Sequence, residues 1–465
     1  MKQLVHSSGP FVVAALNDRA YAVAKNCDDG NSFAVELLPP TVCSTKDRSG
    51  QDDGGVEAKD NQPSDNAVQA VVSMLTNNGS TLLCAVSRHD KTLSLHSLSV
   101  SESTIKSQSP LTVHKLVKRA CCLAMTEIEG VDEVPVENII IAGDLAGDAT
   151  AYPTLKSDKT NCKLGASRLL LGHTASMLTG VRIVTDNGRP RILTSDRDEK
   201  VRVSLFPQTF IVEGYLLGHT AFISSLDVAL DDGCTHCVTS GGDGTVRLWD
   251  YTCFKELAIL PPLPKGAVRN SDNDHSGTVE VEKEEDAKCS GIEDQAVIIP
   301  TASAISHDGK IVAVVYDEMD SVDIYAVGTE DDQFAFNKRQ SIKCPSQPLS
   351  VSFLPDGSLC VLTRDPTFMV MYQTKSNNTN GNLYAPIKSS VGSALREIGN
   401  REKISMPMTI LETDQRGQIK LSKDKEKGIS KNEPWNRVER KEKAKIRNSR
   451  RKRKKAEEKK LQDQK

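Results

Sequence analysis

The chain has 465 residues, 38% hydrophobic and 26% charged but only 4% aromatic, a composition that supplies a sizeable core and excludes both a disordered chain and a membrane protein. No run approaches the roughly 18 apolar residues of a membrane span, and the first residues lack the apolar centre of a signal peptide, so a protein that stays inside the cell is expected. The net charge of −3 is polarised: residues 431–465 hold 16 Lys and Arg against 6 Asp and Glu, which leaves the rest of the chain at −13.

In chain order, short alternating strands that close successive units are predicted at Arg19–Val23, Thr92–His96, Asp148–Tyr152, Lys200–Ser204, Val246–Asp250, Ser321–Tyr325 and Phe368–Tyr372. Most follow an apolar strand and a polar turn, as in Leu83–Asp90 and Ile139–Asp148. They lie about 45 to 55 residues apart except across two gaps, and both gaps contain polar insertions, at 44–65 and 270–295. Seven units of this kind predict an all-β fold, a seven-bladed WD40 β-propeller over residues 1–375. A linker over 376–430 and a basic, partly helical or disordered tail over 431–465 are expected to follow. Because only the last strands of a unit are legible before residue 25, the N-terminal strands are expected to complete the C-terminal blade.

The sharpest repeat runs from Leu217-Gly218-His219-Thr220 to Thr239-Ser240-Gly241-Gly242-Asp243-Gly244-Thr245-Val246-Arg247-Leu248-Trp249-Asp250. This is the Gly-His to Trp-Asp signature of a WD repeat. Its spacing predicts a buried hydrogen-bonded chain of four structural residues, His219, Ser240, Asp243 and Trp249. The twelve cysteines are scattered through apolar runs and read as reduced thiols. Cys234 and Cys237, with His236 between them, have no second pair at ligand spacing, so no metal site is expected. Phosphate loops, His-Glu-x-x-His and Gly-x-Ser-x-Gly are all absent, and no catalytic residue is expected.

The preceding repeat also opens with Gly172-His173-Thr174, but where its neighbour has Ser240-Gly241-Gly242-Asp243-Gly244-Thr245 it has Ser195-Asp196-Arg197-Asp198-Glu199-Lys200, and Ser204 replaces the Trp. Five consecutive charges exceed what a turn needs. They are either a solvated turn or a partner-facing patch. The run Leu193–Ser204 closely resembles the motif of the WD-repeat non-catalytic subunits of the tRNA (guanine-N7)-methyltransferase complex, and the Gly-His-Thr starts and the Lys/Arg-rich C-terminus agree with it.

That resemblance implies a scaffold with no reaction of its own, paired as a heterodimer with a separate catalytic subunit. The partner would bind S-adenosylmethionine and methylate guanine N7 in the variable loop of tRNA, this chain holding no cofactor. It also places partner binding on Asp196, Arg197, Glu199, Lys200 and Arg202, with Asp198 keeping the turn role that Asp243 has next door. The basic tail, with Arg447, Arg450, Arg451, Lys452, Arg453, Lys454 and Lys455, reads as a nuclear import signal, a phosphate-binding arm, or both. The nucleus is the expected compartment, the cytoplasm also being open. A ubiquitin-ligase substrate receptor or a ribosome-assembly propeller is the alternative. Trp249-Asp250-Tyr251-Thr252 lacks the Arg that ends the ligase receptors' motif.

Overall fold

Short apolar runs separated by tight turns can bury themselves only by stacking, and in the computed structural model they form seven antiparallel sheets arranged as the blades of a propeller. The structure describes residues 3–406 apart from 25–33, 38–66, 77–78, 102–103, 107–111, 129–136, 158–160, 165, 175, 266–296, 331–332, 375–383 and 388–389. Both polar insertions and the basic tail lie outside the described residues.

All seven expected strands are present, each as the third strand of a blade, with a further outer strand after it. Blade 4, for example, runs Leu178–Asp186, Arg189–Asp196, Lys200–Leu205 and Val212–Leu217. Blade 5 runs Ile223–Val228, His236–Gly241, Val246–Asp250 and Lys255–Leu260. In blades 2 and 3 the long third strands, Thr92–Ser101 and Asp148–Ser157, pair with one segment along their first half and another along their second.

Both faces of a blade's middle strands are apolar because both are covered by neighbouring blades. Phe11–Leu16 is buried at every position. Six apolar clusters result, each spanning adjacent blades. One joins Leu193, Val203 and Leu216 of blade 4 to Leu226 and Trp249 of blade 5. Another joins Val238 and Leu248 of blade 5 to Val312 and Val314 of blade 6. Cys84, Cys122, Cys237 and Cys360 sit in these clusters, and burial pushes their thiols up.

Two expectations about the ends of the chain are corrected. Blade 1 is complete in itself, with Val5–Ser8, Phe11–Leu16, Arg19–Ala24 and Ala34–Glu36, so no N-terminal strand is lent to the last blade. The tight turn at Gly9-Pro10, where Gly9 takes φ +56°, folds the first residues into a hairpin. Blade 7 draws its outer strand, Tyr384–Ile387, from the stretch expected to be linker.

The ring closes instead through side chains and a helix. The Ser7 hydroxyl meets Ser352 Oγ at 2.9 Å and the Phe353 carbonyl at 2.5 Å. One cluster joins Val13 of blade 1, Val86 of blade 2, Met371 of blade 7 and Leu395 of the helix Ser390–Arg401. Arg19 of blade 1 pairs with Glu402 just after that helix at 3.5 Å, and the Met406 amide donates to Asp365 of blade 7 at 3.3 Å. The helix lies close enough that a Cβ on Gly399 would fall 2.1 Å from the Phe368 ring.

Leu395 has no exposed surface. Leu395→Ala should therefore cost about 2–5 kcal/mol through the cavity left under the helix. Urea unfolding of the variant against the parent measures it, and a change under 0.5 kcal/mol would remove the helix from ring closure.

Candidate functional site

The WD network of blade 5 is present with one member exchanged. Trp249 Nε1 donates to Thr239 Oγ1 at 2.8 Å, and Thr239 Oγ1 lies 2.8 Å from His219 Nε2. His219 Nδ1 in turn lies 3.0 Å from Asp243 Oδ2. The chain of donors runs from indole to hydroxyl to imidazole to carboxylate, which puts the imidazole proton on Nδ1. Ser240, expected in this chain, points the other way and donates to Ser303 Oγ of blade 6 at 2.7 Å. Strand parity is the reason: Cys237 pairs with Trp249, and Thr239, two residues along, shares its face, whereas Ser240 lies on the opposite face.

Asp243 also accepts from the amides of Thr220 and Thr245, each at 3.0 Å. Burial alone would raise its carboxyl, but the hydrogen bond from His219 and these two amides outweigh it and hold the group well below the carboxylate range.

Blade 4 builds a shorter version. His173 Nδ1 lies 2.7 Å from Asp196 Oδ2, and His173 Nε2 lies 2.8 Å from Thr194 Oγ1. Asp196 thus takes the structural role expected of Asp198, and it does so from two residues earlier. Its side chain is fully buried, and its other oxygen accepts from the Asp198 and Lys200 amides at 2.9 and 3.4 Å. Burial opposes its ionisation, while His173 and Lys200 together lower its carboxyl. Asp196 is corrected from a partner-facing residue to the anchor of the turn.

The other expected contact residues divide. Glu199 is exposed and takes φ +76°, the left-handed position that Gly244 holds in blade 5 at +81°. Arg197 is 11% exposed and lies 3.7 Å from Asp198. Lys200 is 35% exposed and pairs with Asp196 at 3.2 Å. Arg202 turns toward Ser204, the residue in the Trp position, with Nε 3.0 Å from Ser204 Oγ and Nη2 donating to the Thr209 carbonyl at 2.8 Å. The tail residues Arg447, Arg450, Arg451, Lys452, Arg453, Lys454 and Lys455 lie outside the described residues.

Around this turn the structure shows a feature that sequence reading did not single out. On the edge of blade 4, Arg202 faces Tyr215 and Lys200 faces Leu217 across the paired strands, and directly opposed residues share a face. Tyr215 is 42% exposed, Leu217 67%, and Phe210, on the bend held by Arg202, 79%. Thr209 Oγ1 donates to the Leu170 carbonyl of blade 3, next to Leu169, which is 61% exposed. The signal was present in Phe210-Ile211-Val212 and Tyr215-Leu216-Leu217, where apolar residues fill both parities of a strand at the rim. Scattered exposed apolar residues are ordinary, but these lie on one blade edge beside Lys200 and Arg202.

Cys234 Sγ and His236 Nδ1 approach one another around Gly309, while Cys237 is buried in the sheet. Among the described residues no group of three His, Cys, Asp or Glu could hold a metal ion.

Seven blades of four or five strands and the His219–Thr239–Trp249 network define a WD-repeat β-propeller. Residues 156–382, from blade 3 through blade 7, match the family of the tRNA methyltransferase TRM82 WD40 domain. The chain is similar to the tRNA (guanine-N(7)-)-methyltransferase non-catalytic subunit WDR4 of Bos taurus, 30% identical over 54% of this chain and 53% of that protein. It is similar also to the subunits named wuho of Aedes aegypti, 34% identical over 40% of this chain and 43% of that one, and of Drosophila pseudoobscura pseudoobscura, 36% identical over 28% and 30%. The resemblance read from Leu193–Ser204 is borne out over these stretches, which span about a third to a half of the relatives' lengths.

Thr239→Val keeps the shape but leaves Trp249 Nε1 and His219 Nε2 without their partner. It should cost about 1–3 kcal/mol, whereas Trp249→Ala should cost roughly 3–5 kcal/mol through the cavity. Unfolding free energies of the two variants check both.

Asp243 and Asp196 are lower in the folded state than the unfolded value near 4. Their contribution is therefore fully present above about pH 4 and is lost as pH falls through the folded values. Asp243→Asn should be less stable at pH 7 and lose less stability than the parent between about pH 4 and 2. Parallel pH profiles of melting temperature would sink this assignment.

Proposed function

We propose that this chain is the non-catalytic scaffold of a tRNA (guanine-N7)-methyltransferase, holding a separate catalytic subunit against the edge of blade 4. The observation that carries the reading is the apolar strip Phe210, Tyr215 and Leu217 beside Lys200 and Arg202, within the stretch that matches the TRM82 WD40 domain. A surface of this composition suits a protein partner: central apolar side chains supply affinity by burial, and rim charges set orientation and the rate of encounter.

On this reading Glu199 and Lys200 are the charges that meet the partner. Arg202 contributes by fixing the Thr209–Phe210 bend, and Asp196 by fixing the turn. S-adenosylmethionine binds the partner, and the propeller supplies no reacting group. The tail residues Arg447 to Lys455 add phosphate contacts to tRNA and direct the protein to the nucleus.

The test is co-expression of the full chain with a tRNA (guanine-N7)-methyltransferase catalytic subunit, read by co-purification and by methyl transfer to tRNA. The parent should form a stable pair. Phe210→Ser with Leu217→Ser should weaken it at least tenfold with the melting temperature of the isolated chain unchanged. Val117→Ser, on an equally exposed apolar residue of another loop (87% exposed), should leave the pair intact. Failure of the parent to pair would overturn the function, and pairing by the double variant would overturn the site.

A further inference from the structure

Down the middle of the ring, the inner strands of blades 1, 4, 5, 6 and 7 line a polar cavity of about 100 Å3 that is continuous with solvent. Most of its polar groups are used in stitching one blade to the next. Asp227 of blade 5 accepts from Arg182 Nε of blade 4 at 3.2 Å through one oxygen and from the Ile305 amide of blade 6 at 3.1 Å through the other. Ser225 bonds the backbone of Ser303 as both donor and acceptor, and Ser7 is held by Ser352 and Phe353.

The groups left over are donors. Arg182 uses Nε on Asp227 and Nη1 on the Val181 carbonyl, and among the described residues Nη2 has no partner. Gln3 Nε2 is buried without a partner. His6 Nδ1 receives the Ser73 amide at 3.3 Å, so it must present a lone pair, and the ring proton sits on Nε2. The imidazole of His307 has no hydrogen-bond partner among the described residues. The one carboxylate in the cavity has both oxygens engaged. A lumen with donors in excess and acceptors already occupied lacks a ligand made of acceptors.

We propose that the central cavity binds a small tetrahedral oxyanion, of the sulfate and phosphate class, through Arg182, Gln3, His6 and His307. The anion supplies oxygen lone pairs to donors that the ring closure leaves unmatched. His6 supports this grouping: burial first, then the charges of Arg182 and His307, hold its imidazole down to about 3. The charged and titratable groups facing the lumen are thus Arg182, His307 and Asp227, with Asp227 neutralised by its own pair. An anion at this position favours imidazolium and raises His6. Binding takes up a proton wherever the pH lies between the free and the bound value, and affinity rises as the pH falls.

The experiment uses the full chain with histidine imidazoles observed by NMR, titrated with sodium sulfate against sodium chloride at matched ionic strength. Sulfate is chosen because it does not itself titrate between pH 5 and 8. The expected result is a saturable shift of the His6 resonance with sulfate and none with chloride, tighter at about pH 5.5 than at pH 8. Arg182→Gln should weaken it at least tenfold. Since Arg182 also joins blades 4 and 5, Gln3→Leu is the second variant: it removes the unmatched donor and keeps the backbone bonds of Gln3 to Gln69 and Val71, and a threefold or greater loss is expected. A linear, unsaturable shift in the parent, or equal affinity in both variants, would mean that the lumen holds water alone and would overturn the proposal.

Discussion

A propeller depends on burial between one sheet and the next. No blade here could cover its own two apolar faces, and the six clusters, each shared between neighbouring blades, are where the apolar surface of the chain is removed from water. That dependence makes the closing seam decisive, because an open ring would leave two sheet faces wet. Many propellers close by exchanging a strand between their ends. This one closes by packing: the cluster at the seam reaches from blade 7 through blade 1 into blade 2 and includes Leu395 and Met406 from beyond the last blade. The helix Ser390–Arg401 is therefore part of the ring, although no strand pairing requires it.

Shared burial also explains how much of the fold was legible. Strands covered on both faces are apolar throughout, and the polar turn after each one punctuates the chain, so the seven third strands could be read directly. The inner and outer strands were harder. The first hairpin was missed because Val5–Ser8 carries only one apolar residue. The outer strand Tyr384–Ile387 was missed because an edge strand has one face in water and little pattern to betray it.

The site was legible by position more than by role. The charged turn of blade 4 is visible as a departure from its neighbour, but which charges are spent internally depends on parity and burial, and neither follows from residue type. Thr239 and Ser240 illustrate this at adjacent positions. Both are hydroxyl residues with no exposed surface, yet one completes the Trp249 network and the other joins blade 5 to blade 6. Asp196 and Asp198 do the same in blade 4, where the earlier residue faces inward to His173 and the later one is exposed.

The loss of Trp in blade 4 then has a physical consequence beyond an incomplete network. Trp249 fills its position with an indole that reaches to within 3.0 Å of where a Cβ on Gly218 would lie. Ser204 leaves that volume open and offers a hydroxyl, and Arg202 uses both. In blade 5 the corresponding Arg247 donates to the buried Thr245 Oγ1 at 3.2 Å and pairs with Glu256. In blade 4 the guanidinium folds onto Ser204 and grips the Thr209 carbonyl, while Thr209 itself reaches blade 3 through Leu170. One substitution, Trp to Ser, thereby converts a stabilising side chain into a bracket for the bend that carries Phe210. Phe210 is thereby held exposed at the rim by bonds to its own bend, and rigid presentation lowers the ordering cost of whatever contact such a residue makes.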